Sequence, residues 1–326
     1  MPPADGGTGR GPWARAEAWL FAPGDPRRLA AVRVGLCGLL AARLASSPYP
    51  ELATQPPALF RPISFLRLLD AMPPPTVVAV LQVVAVAAAI LATLGVAARV
   101  TLPIAFLAGL PLIAMTSSIG KVVHNDVLLL LTLVPLLAAP TADAWSLAAL
   151  RGRASGSRRA GGGSSPRYGW PVRTAMVVVA GAYFFTGLAK LLHAGPAWVT
   201  SGNLRWVLYA SSDAQAVPNQ AALFVADRPW LAHLVALATL VLELSFPLVL
   251  VRPRAAWVLV PGVLGLHAGI WVAMGLNYWP MAATVVLVLV DWAALADRLR
   301  PYSQFLRLKK NHRPTPDTTM SPSAQA

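Results

Sequence analysis

Windows of 17 to 22 almost uncharged residues recur along this 326-residue chain. As helices, such windows cross about 30 Å of hydrocarbon. One of them can be buried in a soluble core, but a series of them cannot. With 56% hydrophobic and only 12% charged residues, the chain is too apolar for an ordinary soluble domain. The candidate spans are 29–44, 77–98, 100–116, a segment ending at Ala139, 174–192, 230–251, 255–274 and 278–295. The expected fold class is an all-α polytopic membrane protein with about eight transmembrane helices. Residues 1–25 are rich in Gly, Pro and Ala and are expected to be disordered. The membrane domain is expected over 26–298, split by a flexible loop at 151–167, with a basic disordered tail at 299–326.

The net charge of +14 raises the question of nucleic acid, and its distribution answers it. With the N-terminus inside, 20 of the 27 basic residues fall on inner segments and seven on outer ones: Arg43, Arg61, Arg67, Lys121, Lys190, Arg205 and Arg228. That is the positive-inside pattern of an even number of spans with both termini cytoplasmic. The partner of this charge is an anionic lipid surface, not nucleic acid. Cys37 is the only cysteine, so an intrachain disulfide, a thiolate zinc site and an iron–sulfur cluster are excluded. The two halves show no internal repeat, which argues against an inverted-repeat transporter.

The informative residues are the ionisable ones inside the apolar windows. Lys190, one of four lysines in the chain, sits near the end of the window 174–192. A lysine at mid-bilayer costs roughly 3 kcal/mol, so a partner stabilises it or its amine is used. The apolar run 127–139 has 13 residues, too short to cross, and lengthening it draws His124, Asn125 and Asp126 into its outer end. At about 1.5 Å per residue, Lys190 and His267 also fall in the outer halves of their spans, and Glu243 falls towards the inner half of its own. An outward-opening pocket is the natural inference.

Each residue has a plainer reading. Lys190 snorkels to the interface, Asp126 pairs with Lys190 or Lys121, His124 satisfies a turn, and His267 is a hydrogen-bonded core residue. Glu243, four residues before Pro247, serves helix packing. On the chemical reading, burial beside few anions makes Lys190 a base, and a nearby histidine stabilises the anion it forms. Such a pocket suits a lipid-soluble substrate such as a quinol.

The pattern Tyr183-x-x-x-Gly187-x-x-Lys190-Leu191, then Trp198, then Glu243-x-x-x-Pro247, then His267 before Gly275, resembles the HTTM domain. This membrane domain is shared by vitamin K-dependent gamma-carboxylase and many bacterial proteins. The opening segment 28–33 and the run from His124 through Pro140 to Leu147 also look like that family, so the likeness covers roughly 26–298. It implies that the first window is an uncleaved anchor and that the chain lies in a bacterial plasma membrane. It implies Lys190 as the base that deprotonates a reduced vitamin K of menaquinol type, supported by His124. Asp126, Tyr183, Trp198, Glu243 and His267 are then residues of the substrate pocket. A secreted protein substrate is the implied partner, and no metal is implied. The chain departs from the carboxylase at Ala189, where that enzyme has a second lysine. No counterpart of its large lumenal region is expected after Leu295. The alternatives from the residues alone are a non-catalytic membrane scaffold or a transporter.

Overall fold

The computed structural model of the chain describes residues 11–120, 123–154 and 163–299. Among them every regular element is helical. In chain order these are α1 (Pro12–Leu20), α2 (Pro26–Ser46), α3 (Tyr49–Leu52), α4 (Pro75–Leu94), α5 (Ala98–Thr116), α6 (Val127–Leu137) and α7 (Leu147–Ala154). The second half holds α8 (Pro166–Ala194), α9 (Ala197–Thr200), α10 (Asn203–Asp213), α11 (Gln220–Ala226), α12 (Pro229–Ser245), α13 (Leu248–Val251), α14 (Ala256–Met274) and α15 (Trp279–Leu289).

Proline and glycine set most of the boundaries. Pro12, Pro26, Pro75, Pro166 and Pro229 open their helices, where the missing N–H costs nothing. Gly95 and Gly275 close α4 and α14 in the left-handed region, at φ +69° and +67°.

Five helical segments are long and apolar enough to cross a membrane: α2, α4, α5, α8 and the segment Pro253–Met274 that contains α14. The number rises to seven if α11 with α12, and α15 with the following Trp292–Leu299, each count as one broken span. Their outer surfaces say which solvent they are built for. Only 28%, 28% and 22% of the apolar windows of α4, α8 and the α14 segment are buried. Val80, Val83, Phe185, Leu192, Trp257 and Val258 all stand exposed. A water-soluble monomer does not carry apolar surface on that scale, whereas lipid requires it. The chain is an integral multi-pass membrane protein.

Several expectations change. Helix α6 has only 11 residues, about 16 Å, because 123–126 are not helical and Ala138 ends it. His124 and Asp126 therefore belong to a loop and not to the outer turn of a span. The last expected span also breaks, at the extended residue Val290. A short separate unit begins at Asp291, whose carboxylate accepts the Ala294 N–H and caps the helix Trp292–Leu299. Residues 12–20 form a helix where disorder was expected. Gly24 and Ser165 exchange two backbone hydrogen bonds of 3.0 and 3.1 Å, and Arg173 donates to the carbonyls of Leu20 and Ala22, so this helix is fastened to α8. Part of the expected loop at 151–167 is helical, in α7 and the start of α8. Residues 1–10, 155–162 and the tail beyond 299 lie outside the described residues.

Helix α2 is the hub, packing against α4, α5, α6, α8 and α15. Its Leu29, Val32, Leu36, Leu40 and Leu44 have no exposed surface. Helix α8 joins this group to the rest, with α6 on one side and α12 on the other. Helices α10 and α11 pack on each other and on α12 and α14, with a small core of Leu208, Ala222 and Ala226.

Candidate functional site: an ion pair at the floor of an apolar chamber

The site begins with a close approach of two helices. Tyr183 stacks on Phe246 at 4.6 Å, Gly187 faces Glu243 and Leu244, and Lys190 meets Glu243, so α8 and α12 run antiparallel. A Cβ on Gly187 would lie 2.9 Å from the Glu243 Cβ, closer than carbon atoms come. Only glycine lets the two backbones come this near. Three residues on, the Lys190 Nζ then reaches both carboxylate oxygens of Glu243, at 2.5 and 2.6 Å. The Lys190 side chain is 17% exposed and the Glu243 side chain 5%. Trp198, just after the end of α8, lies over the ammonium with its ring centre 5.2 Å away. Its indole N–H is buried and has no acceptor among the described residues.

This contact corrects the expected depths. Glu243 lies about 21 Å from the start of α12, whereas Lys190 lies about 6 Å from the end of α8. With the helices antiparallel, α12 begins some 15 Å beyond the end of α8. Helices α9, α10 and α11 all pack on α12, and Lys190 shares a pocket with residues of α10 and α11. The distances expected from the window edges failed because the chain does not leave the bundle at Ala194.

A chamber of about 730 Å³ opens beside the pair, a size that suits a drug-sized ligand or a lipid chain. Lys190 and Glu243 form its polar floor, with Trp198, Asn203 and Thr239 the other polar groups. The remaining wall is apolar, from α10, α11, α12 and one face of α14. On that face Gly265 and Gly269 have no neighbour within 4 Å of where a Cβ would stand. Their missing side chains are part of the space.

The other expected site residues fall into two groups. Tyr183 and His267 are buried and hydrogen-bonded, hydroxyl to Nε2, at 2.8 Å. The His267 Nδ1 is buried without a partner among the described residues. Tyr278 stacks on His267 at 5.9 Å and on His124 at 5.3 Å, making an aromatic chain that ends at an exposed His124. Burial raises the pKa of the Tyr278 hydroxyl. None of Tyr183, His267 or His124 lines the chamber.

Asp126 is elsewhere again. Its carboxylate takes two hydrogen bonds from Arg43, Nε at 2.8 Å and Nη2 at 3.0 Å, and the same guanidinium stands 5.8 Å from the Trp279 ring. The expected Asp126–Lys190 pairing is therefore replaced by Asp126–Arg43 and Glu243–Lys190. Lys121 lies outside the described residues. Burial also raises the neighbouring Tyr49 phenol to a pKa of about 12. Of the expected site residues, Lys190, Trp198 and Glu243 come together at the chamber. Asn203, Thr239 and the glycines of α14 were missed. The spacing Gly262-x-x-Gly265-x-x-x-Gly269 was the readable signal for the last, since it places three glycines on one helix face.

Among the described residues no cluster of His, Cys, Asp and Glu could hold a metal. The chain matches no protein-family model, no curated protein and no solved structure.

Proposed function

We propose that this is an HTTM-type membrane protein of a bacterial plasma membrane whose chamber takes a lipid-soluble substrate, with the Lys190–Glu243 pair as its acid–base couple. The reading rests on one observation: a lysine and a glutamate share two short hydrogen bonds at the floor of a mostly apolar space. An eight-crossing topology with both termini cytoplasmic accompanies the reading, supported by the charge asymmetry of the sequence.

The chemistry is a proton transfer in two moves. Within the hydrogen bond, the Lys190 ammonium passes a proton to the Glu243 carboxylate, leaving a neutral amine and a neutral acid. The amine then takes the O–H proton of the substrate, and the restored ammonium stabilises the oxyanion. A quinol of the reduced vitamin K type fits this site. Its isoprenoid chain matches the apolar wall, and its hydroxyl is weakly acidic. Glu243, and not His124, is the partner of the base in this scheme. For carboxylase-like lyase chemistry, a secreted protein would be the second substrate.

The test is turnover of reduced menaquinone by the protein in proteoliposomes. Lys190→Ala is expected to lose roughly 10²–10⁴-fold, the usual weight of a general base. Unchanged turnover in that variant would refute the scheme.

A second reading is favoured by the same contact. A buried ion pair can simply hold two helices in register, which makes the protein a scaffold. The exchange Lys190→Glu with Glu243→Lys separates the two. A scaffold recovers folding and all its function, whereas the acid–base scheme recovers folding alone.

A further inference from the structure

Lys190 and Trp198 each line two spaces. One is the chamber. The other is a groove of about 590 Å³ on the outward face of α8, walled also by Phe185, Thr186, Ala189 and His193. These four are exposed, and Leu192 beside them is 75% exposed, so the groove lies on a surface built for hydrocarbon. The Lys190 and Trp198 side chains alone belong to both linings.

We propose that this groove is a lateral portal: a single-chain lipid enters the chamber sideways from the bilayer, past Trp198. The proposal rests on reading the chamber as a binding site and adds the route and the class of ligand. Trp198 is suited to move. It stands on the four-residue α9, which follows Gly195, a residue at φ +55° where a Cβ would meet only the Leu191 carbonyl oxygen, at 4.0 Å. No hydrogen bond ties its indole N–H among the described residues. Its contact with the Lys190 ammonium is a cation–π contact, which a turn of the ring gives up without stranding a polar group.

The head group follows from charge. Lys190 and Glu243 together are neutral, so a carboxylate or phosphate arriving there would add an unpaired charge in apolar surroundings. A neutral oxygen acceptor, of a hydroxyl, an ester or a ketone, is what the free Trp198 N–H and the third Lys190 N–H can satisfy. The ligand is therefore a bilayer lipid with one chain and a neutral oxygen-bearing head, a class that includes the quinol.

The test uses the full chain in phosphatidylcholine nanodiscs, with a monoacylglycerol carrying a diazirine in its chain as the probe. After illumination, adducts are expected on the chamber segments 203–208, 235–242 and 262–274. Ala189→Trp fills the groove and should cut those adducts about tenfold or more, one decade in entry rate. Leu192→Trp, on the same face but outside both linings, should leave them unchanged. Trp198→Ala should speed labelling by about the same factor. Equal labelling in Ala189→Trp and the parent chain would overturn the portal while leaving the chamber intact. Absence of chamber adducts in the parent chain would overturn the chamber itself, whatever Lys190→Ala does to turnover.

Discussion

Among the described residues two ion pairs have a nearly buried acid, and they are alike until one asks what lies beside them. Arg43–Asp126 and Lys190–Glu243 each join distant parts of the chain through two hydrogen bonds, and the acid is nearly buried in both, at 6% and 5% side-chain exposure. The cations differ little in exposure, at 21% and 17%. Arg43, however, is packed beside Trp279, and its charge is permanent. Lys190 borders a chamber and a groove, has a flexible stem, and can give up its proton. One pair has only the chemistry of a fastening, and the other has the neighbouring space and the titratable cation that the proposed site requires. Burial and pairing alone do not distinguish them, but the empty space and the choice of lysine over arginine do.

The largest expected effect tests the fastening. Asp126→Ala leaves Arg43 permanently charged, part-buried beside Trp279 and without its carboxylate, and should cost about 3 kcal/mol. Thermal unfolding in detergent should show the loss, with much of the protein failing to insert. Glu243→Gln should cost less, about 1–3 kcal/mol, because Lys190 can reach the open groove or lose its proton. The two melting temperatures measured side by side decide the matter. If Glu243→Gln is as damaging as Asp126→Ala, the second pair is also a fastening and the scaffold reading gains.

How much of this could be read from the sequence depends on the range of the interaction. The apolar windows gave helices because 17 to 22 uncharged residues answer to the bilayer locally. Lys190 stood out because its cost is local too. Its partner could not be read, because pairing depends on how far α12 is shifted along α8. Counting depth from the window edges puts Leu192 and Trp230 at one level. Helices α9 to α11 fill the stretch between them and make that untrue. Arg43 was counted only as an outer charge, since nothing near it in sequence points to Asp126. His124 was expected on a helix because the run 127–139 is too short to cross. The chain accepts the short helix and leaves His124 in a loop against Tyr278.

Helix proximity offers a smaller and sharper test. Gly187→Ala puts a methyl against the Glu243 Cβ, where backbone must move, and overpacking of this kind costs about 1–3 kcal/mol. The shift should also pull Glu243 away from Lys190, so the loss of turnover should exceed what the fall in stability explains. A Gly187→Ala protein that melts normally and turns over normally would mean that the close approach is not what aligns the pair.

The smallest effect has the opposite sign, at glycines of the same type in a different setting. Gly269 lies in the interior of α14, with nothing within 4 Å of where a Cβ would stand. Alanine there removes the backbone freedom that glycine loses on folding and meets no clash, so Gly269→Ala should gain up to about 1 kcal/mol. The added methyl enters the chamber and should weaken binding of a chain that fills it. A protein that is more stable yet labels less with a chamber-directed lipid is the expected result. It would show that Gly269 is kept small for the space it leaves, whereas Gly187 is kept small for the helix it admits. If Gly269→Ala stabilises the bundle and labelling does not change, the ligand does not touch α14, and the binding site shrinks to the floor around Lys190, Glu243 and Trp198.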